Sequence, residues 1–188
     1  MKITQKTVMG AFIVAILVLS LFGFVLSYRT PDTNVLEYNG IRFRQLQQGW
    51  QATIADKTRG FVFHPLELEA LTIDPSAAAL LAARSIAITY DDNTTNPEML
   101  ANAQYYIEQT VGDQRIIVRG IVRTNSTIPS ITCDGATARQ PVILLTMANT
   151  TTVTTENNCI RIAAANSMQL IQYADVINYH ILGVFNGK

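Results

Sequence analysis

Nineteen consecutive residues, Val8 to Leu26 (VMGAFIVAILVLSLFGFVL), carry no charge. A helix of that length rises roughly 28 Å, the thickness of the hydrocarbon layer of a bilayer. A helix buried in a globular core keeps a polar stripe on its outer side, and this segment has none. The expectation is a transmembrane helix or signal anchor over 8–27, with a short N-terminus, 1–7, before it and a polar linker, 28–34 (YRTPDTN), after it. A cleaved signal peptide is the competing reading. Its apolar core is shorter, about 7–15 residues, but Val25 and Ser27 supply small residues where a peptidase needs them. Lys2 and Lys6 precede the segment, while Arg29 and Asp32 nearly cancel behind it. The positive-inside rule then keeps the N-terminus in the cytoplasm and places residues 28–188 outside, in a single-pass protein whose first partner is the lipid bilayer.

Composition agrees with a folded domain beyond the anchor. The chain is 48% hydrophobic and 15% charged, which excludes a disordered polymer. Its 14 basic and 14 acidic residues exclude a strongly basic nucleic-acid binder, and no nucleic-acid partner is expected. Residues 1–27 hold two lysines and no acid, so the part placed outside is mildly acidic.

An oxidising location gives the two cysteines a role. Cys133 and Cys159 are expected to form a disulfide, which in the chain-entropy model restrains the unfolded chain by about 3–4 kcal/mol. Two buried free thiols are the alternative. Three N-x-S/T sequons also fall in predicted loops, making Asn93, Asn125 and Asn149 candidate glycan acceptors.

The predicted fold class is α+β: one extracytoplasmic domain, 35–188, with a mostly antiparallel sheet. It begins with a β-meander. Asn39-Gly40, between two alternating runs, is a strong hairpin signal. Gln47-Gln48-Gly49 turns the chain into Trp50–Ile54, and Asp56–Gly60 turns it again into a strand Phe61–His64 that Pro65 ends. Asp74-Pro75 caps a small helix reaching Ala83. A βαβ-like unit follows: strand Ser85–Tyr90, a helix opened by Asn96-Pro97-Glu98 with Leu100, Ala103, Ile107 and Val111 on one face, and strand Arg115–Val122. Strands Pro141–Met147, Thr150–Thr155 and Cys159–Ala163 precede a final helix capped by Asn166 or Ser167 and stopped at Gly183.

The search for chemistry yields no catalytic, cofactor-binding or metal-ligating residue, and no cofactor is expected. His64 and His180 have no partner at metal-ligand spacing. Asp175 precedes His180 by five positions, so the two side chains point about 140° apart on a helix and form no dyad. Asp91, Asn93 and Glu98 offer hard oxygens, but the stretch lacks the glycine and final glutamate of a calcium loop and reads as a polar strand-to-helix connection. Arg42, Arg44 and Arg59, and the row Arg115, Arg119 and Arg123, read as solvated sheet faces or, less simply, as a basic patch for an anionic partner.

The anchor, Tyr38-Asn39-Gly40-Ile41-Arg42-Phe43, His64-Pro65-Leu66-Glu67-Leu68-Glu69, the interval from Cys133 to Cys159-Ile160, Tyr173-Ala174-Asp175 and Leu182-Gly183 together resemble uncharacterised single-span membrane proteins of small-genome archaea. That resemblance implies location and domain limits, and no activity. The function expected is that of a non-enzymatic, membrane-anchored binding or structural protein of the cell envelope, with a protein partner or self-assembly. A pilin-like filament subunit is the alternative, weakened by Met9 before the Gly10-Ala11 junction and by the lack of a glutamate early in the helix. A membrane-tethered enzyme is a more distant third.

Overall fold

The computed structural model describes residues 16–18, 34–71, 73–94, 96–123 and 127–185. They fall into two units, divided between Val35 and Leu36. In the first, residues 16–18 are helical with exposed side chains, and the rest of the expected span lies outside the described residues. Among the described residues no helix is long and apolar enough to cross a membrane.

The second unit is α+β and contains two sheets. The first is the expected meander, with β1 (Val35–Tyr38), β2 (Ile41–Leu46), β3 (Gly49–Ile54) and β4 (Lys57–Phe61) side by side in chain order. Asn39 and Gly40 both take positive φ, +49° and +77°, as the tight hairpin turn requires. At Gly49, φ is +97° and a Cβ would lie 2.2 Å from the Phe61 carbonyl oxygen, so only glycine fits. The third turn differs from expectation. It is Ala55-Asp56, at φ +51° and +61°, and the chain is already in β4 at Lys57. The five-pair ladder between β3 and β4 turns Ala52, Ile54, Arg59 and Phe61 inward, and that inward set fixes the register.

The last meander strand ends at Phe61 and does not reach Pro65 as expected, because the Val62 and Phe63 N–H groups turn to the Asp175 carboxyl; Pro65 instead opens a one-turn helix, α1 (Pro65–Leu68). His64 Nδ1 accepts from the Leu66 N–H at 3.2 Å, and Glu67 Oε1 accepts from the His64 N–H at 2.8 Å, a reciprocal cap. Asp74 caps α2 (Pro75–Leu81) as expected, accepting from the Ser76 N–H at 2.7 Å.

The first sheet is antiparallel as expected, and, in a departure from the expected mostly antiparallel sheet, the second is mixed. Its strands are β5 (Ser85–Tyr90), β6 (Ile116–Arg119), β7 (Val142–Met147), β8 (Thr152–Glu156) and β9 (Cys159–Ala164), in the spatial order β6-β5-β7-β9-β8. β5 runs parallel to both β6 and β7, and β7 parallel to β9, so β8–β9 is the one antiparallel pair. β6 and β7 lie on opposite sides of β5, and β8 lies outside β9, which enters between it and β7. The continuous apolar runs of β5 and β7 suit strands buried on both faces, the habit of parallel sheets.

The two faces of this sheet have different covers. Ile86, Ile88, Ile143, Leu145, Ile160 and Ile162 pack against α2, α3 (Pro97–Val111) and α4 (Ser167–Ile181). Helix α3 buries Leu100, Ala103, Ile107 and Val111 as expected, but Asn96 makes no side-chain cap. Gln104, also buried, donates to the carbonyls of Ile88 and Gly120 and ties the helix to the sheet. Helix α4 serves both layers: Leu170, Ala174, Ile177 and Ile181 join the sheet core, while Val176 and Tyr179 join Phe43, Phe61 and Leu68 of the meander core.

Candidate functional site

The other face of the second sheet is covered in part. Register places Ala87, Val142, Cys159 and Glu156 in one row across it, and Thr89, Leu144, Arg161 and Thr154 in the next. Over β5 and β7 this face is sealed by residues of the segment between β6 and β7, among them Val122, Ile131 and Ala136. Cys133 opens a one-turn 3₁₀ helix in that segment and is joined to Cys159 by a disulfide, with Cα atoms 5.3 Å apart. The expected pairing is therefore formed, and it pins the strap to the sheet.

Beyond the strap, over β8 and β9, the face is open. A cleft of about 540 Å³ lies there, lined by Asp134, Thr154, Glu156, Asn158, Arg161 and the disulfide. Arg161 also borders a smaller recess of about 240 Å³ with Asp91, Thr132 and Thr146. Asp134, Glu156 and Arg161 are exposed, and among the described residues their side chains make no hydrogen bond or ion pair. An arginine between two carboxylates, held on a rigid sheet, presents forked donors and strong acceptors to a polar surface.

Asn93 and Asn149 are exposed and follow the carboxyl ends of the neighbouring parallel strands β5 and β7. The Asn93 side-chain oxygen accepts from Arg123 at 3.2 Å. Asn125 lies outside the described residues. The arginines do not form a free basic row: Arg119 pairs with Glu108 and Arg123 with Asp92, each at 3.1 Å. Arg59 points inward, where it makes a fork with Asp113 at 2.8 and 2.7 Å and donates to the Thr110 carbonyl. That fork holds the Asp113 carboxyl far below the usual carboxylate range, and Lys57 adds to it.

The most perturbed groups meet where α4 passes under the meander. Asp175 is fully buried. One of its oxygens accepts from the Val62 and Phe63 N–H groups at 3.0 and 2.9 Å, and the other accepts from the Tyr106 hydroxyl. Burial pushes its pKa up to about 6, and the Tyr106 hydrogen bond and the two backbone donors only partly oppose that. Burial and the facing carboxyl together push the Tyr106 hydroxyl well above its ordinary value. Tyr179 donates to the Phe63 carbonyl at 2.6 Å. His64 is packed among the rings of Trp50, Phe43 and Tyr38, and its pKa is lowered by burial. His180 is likewise lowered by burial and lies 5.2 Å from the Phe185 ring. Asp175 and His180 have separate surroundings, as their spacing predicts. Sequence reading did not single out Arg161, weighed Asp175 only against His180, and read Arg59 as part of a solvated face or basic patch, whereas it is buried. The signal for Asp175 was an acid inside the apolar run Tyr173–Ile177 of a helix with two buried sides.

No protein-family model, curated protein or solved structure matches the chain. Among the described residues there is no cluster of three or more His, Cys, Asp or Glu side chains able to hold a metal ion.

Proposed function

We propose that the chain is a membrane-anchored binding or structural protein of the cell envelope, non-enzymatic, with residues 28–188 outside the cell and acting through protein contacts. The observation that carries this reading is the cleft at β8 and β9. Glu156 and Arg161 on the sheet and Asp134 on the disulfide strap line it, and among the described residues their side chains make no hydrogen bond or ion pair. Charges left unpaired on a rigid surface complement a partner and set the register of its docking. The carboxyl with the most raised pKa, on Asp175, is sealed in the core and occupied by three donors, which suits a structural role. The apolar segment 8–27 supplies the tether.

The test places a photoreactive residue at Arg161 in the full chain, in its native membrane, with Gln45 on the meander as the control position. A discrete cross-linked product from position 161, and none from 45, is expected. Equal yields, or none at 161, would overturn the reading.

A further inference from the structure

We infer that the outer edge of β8 pairs with the same edge of a second copy of this chain, antiparallel about Thr154, so that the two five-stranded sheets become one. The inference deepens the protein-contact reading above and rests on it.

β8 ends the sheet, with β9 on one side and, among the described residues, no strand on the other. Its ladder with β9 is regular from Thr152 to Glu156, without a bulge. Exposed edges are commonly guarded by lysine, proline, bulges or inward charges. The strand Thr-Val-Thr-Thr-Glu has one charge, at its last position, and no lysine or proline. The outer edge strand of the meander, β4, by contrast carries Lys57 and Arg59.

The direction of the free backbone groups follows from the hairpin. Asn157 and Asn158 form a two-residue turn with φ +49° and +62°, and Glu156 and Cys159 flank it as a pair. In such a hairpin the flanking pair exchanges both hydrogen bonds, and bonded pairs then alternate. Glu156, Thr154 and Thr152 therefore spend their backbone groups on β9, and those of Val153 and Thr155 face outward.

A twofold axis at Thr154 uses those outward groups fully. Val153 of each copy then faces Thr155 of the other, and about four backbone hydrogen bonds form. Thr152 faces Glu156, and Thr154 faces Thr154, so no like charges oppose each other and β-branched side chains meet. Shifting the axis by one residue turns the central pair the wrong way or leaves part of the strand unpaired. Two chains tethered in one membrane also meet at raised effective concentration, which favours a short pairing edge.

Two experiments on the full chain in its native membrane test the pairing. In the first, Thr154→Cys is oxidised and compared with Thr152→Cys. Position 154 faces itself at a Cα separation of roughly 4.5 Å, within disulfide reach, whereas position 152 faces Glu156. A covalent dimer of this chain is expected from Thr154→Cys at least about fivefold above Thr152→Cys. In the second, Thr154→Lys and Thr154→Glu each disperse the dimer through like-charge contact, and a mixture of the two variants restores it. Equal cross-linking at 152 and 154, cross-linking to another protein alone, or single charge variants that still dimerise would each overturn the proposal. Absence of any Thr154→Cys dimer, with the Arg161 cross-link to a partner still formed, would sink this pairing while leaving the binding reading intact.

Discussion

The Tyr106 hydroxyl donates a hydrogen bond to Asp175, joining the middle of α3 to the middle of α4 directly beneath the strand that closes the meander. The same carboxyl takes the N–H groups of Val62 and Phe63, so one buried acid holds two helices and the exit of β4. The fold's response to pH follows from this arrangement.

Asp175 has a folded pKa of about 6 against an ordinary value of 3.8. The native state therefore holds a proton that the unfolded chain releases. The resulting stabilisation is full below pH 3.8 and is lost as pH rises through 6, on the order of 3 kcal/mol. His64 and His180 act in the opposite sense: their folded pKa values lie below 6.5, so their contribution is present above pH 6.5 and is lost as pH falls. Asp113, held low, contributes stability that is lost in acid below the ordinary carboxylate range. Urea unfolding at pH 4.5 and pH 7 isolates the Asp175 part. The wild type should lose more stability over that rise than Asp175→Asn does, by about 2 kcal/mol. Parallel pH profiles would refute the assignment.

Tyr106→Phe removes a donor and leaves a buried carboxylate oxygen short of one partner. The expected cost is about 1–3 kcal/mol at neutral pH, and less at pH 4.5, where the carboxyl is protonated. The folded pKa of Asp175 should rise further, because the Tyr106 hydrogen bond lowers it. Carboxyl titration followed by NMR reads that rise directly.

The Arg59–Asp113 fork should be asymmetric. The Arg59 side chain is 5% exposed and that of Asp113 is 22% exposed. Asp113→Ala strands a buried guanidinium and is expected to cost about 3 kcal/mol. Arg59→Met leaves an acid that keeps water and Lys57, with an expected cost of roughly 1 kcal/mol. Chemical denaturation of both single variants and the double variant measures the coupling; equal single costs would refute the asymmetry.

Reduction of the Cys133–Cys159 bond, or replacement of both residues by serine, removes a restraint worth about 3–4 kcal/mol in the chain-entropy model. The strap over Ala87, Val142 and Leu144 also loses its pin. A lower melting temperature and increased binding of an apolar dye are expected, and an unchanged melt under reductant would count against the strap's role.

Local chemistry made much of the fold legible. Asn39-Gly40 forced a turn because both residues tolerate positive φ. Asp74-Pro75 opened a helix, and Leu100, Ala103, Ile107 and Val111 marked the buried face of α3 at helical spacing. Ala55-Asp56 was not legible, because alanine gives no sign of a left-handed turn; the inward burial of Arg59 and Phe61 imposed it. The cleft was equally hidden, since Asp134 and Arg161 are distant in sequence and meet through the disulfide and the placement of β9.

Local residue chemistry dictates what each stretch tends to do over a few residues: where turns fall, which helices have an apolar side, which cysteines are available to pair. Which strands became neighbours, and in which direction, was set by long-range packing. Parallel pairing joins segments far apart along the chain, and its stability comes from burying both sheet faces at once. The same long-range packing turned Asp175 from an ordinary surface acid into a buried acceptor, because its pKa depends on what the rest of the chain places around it.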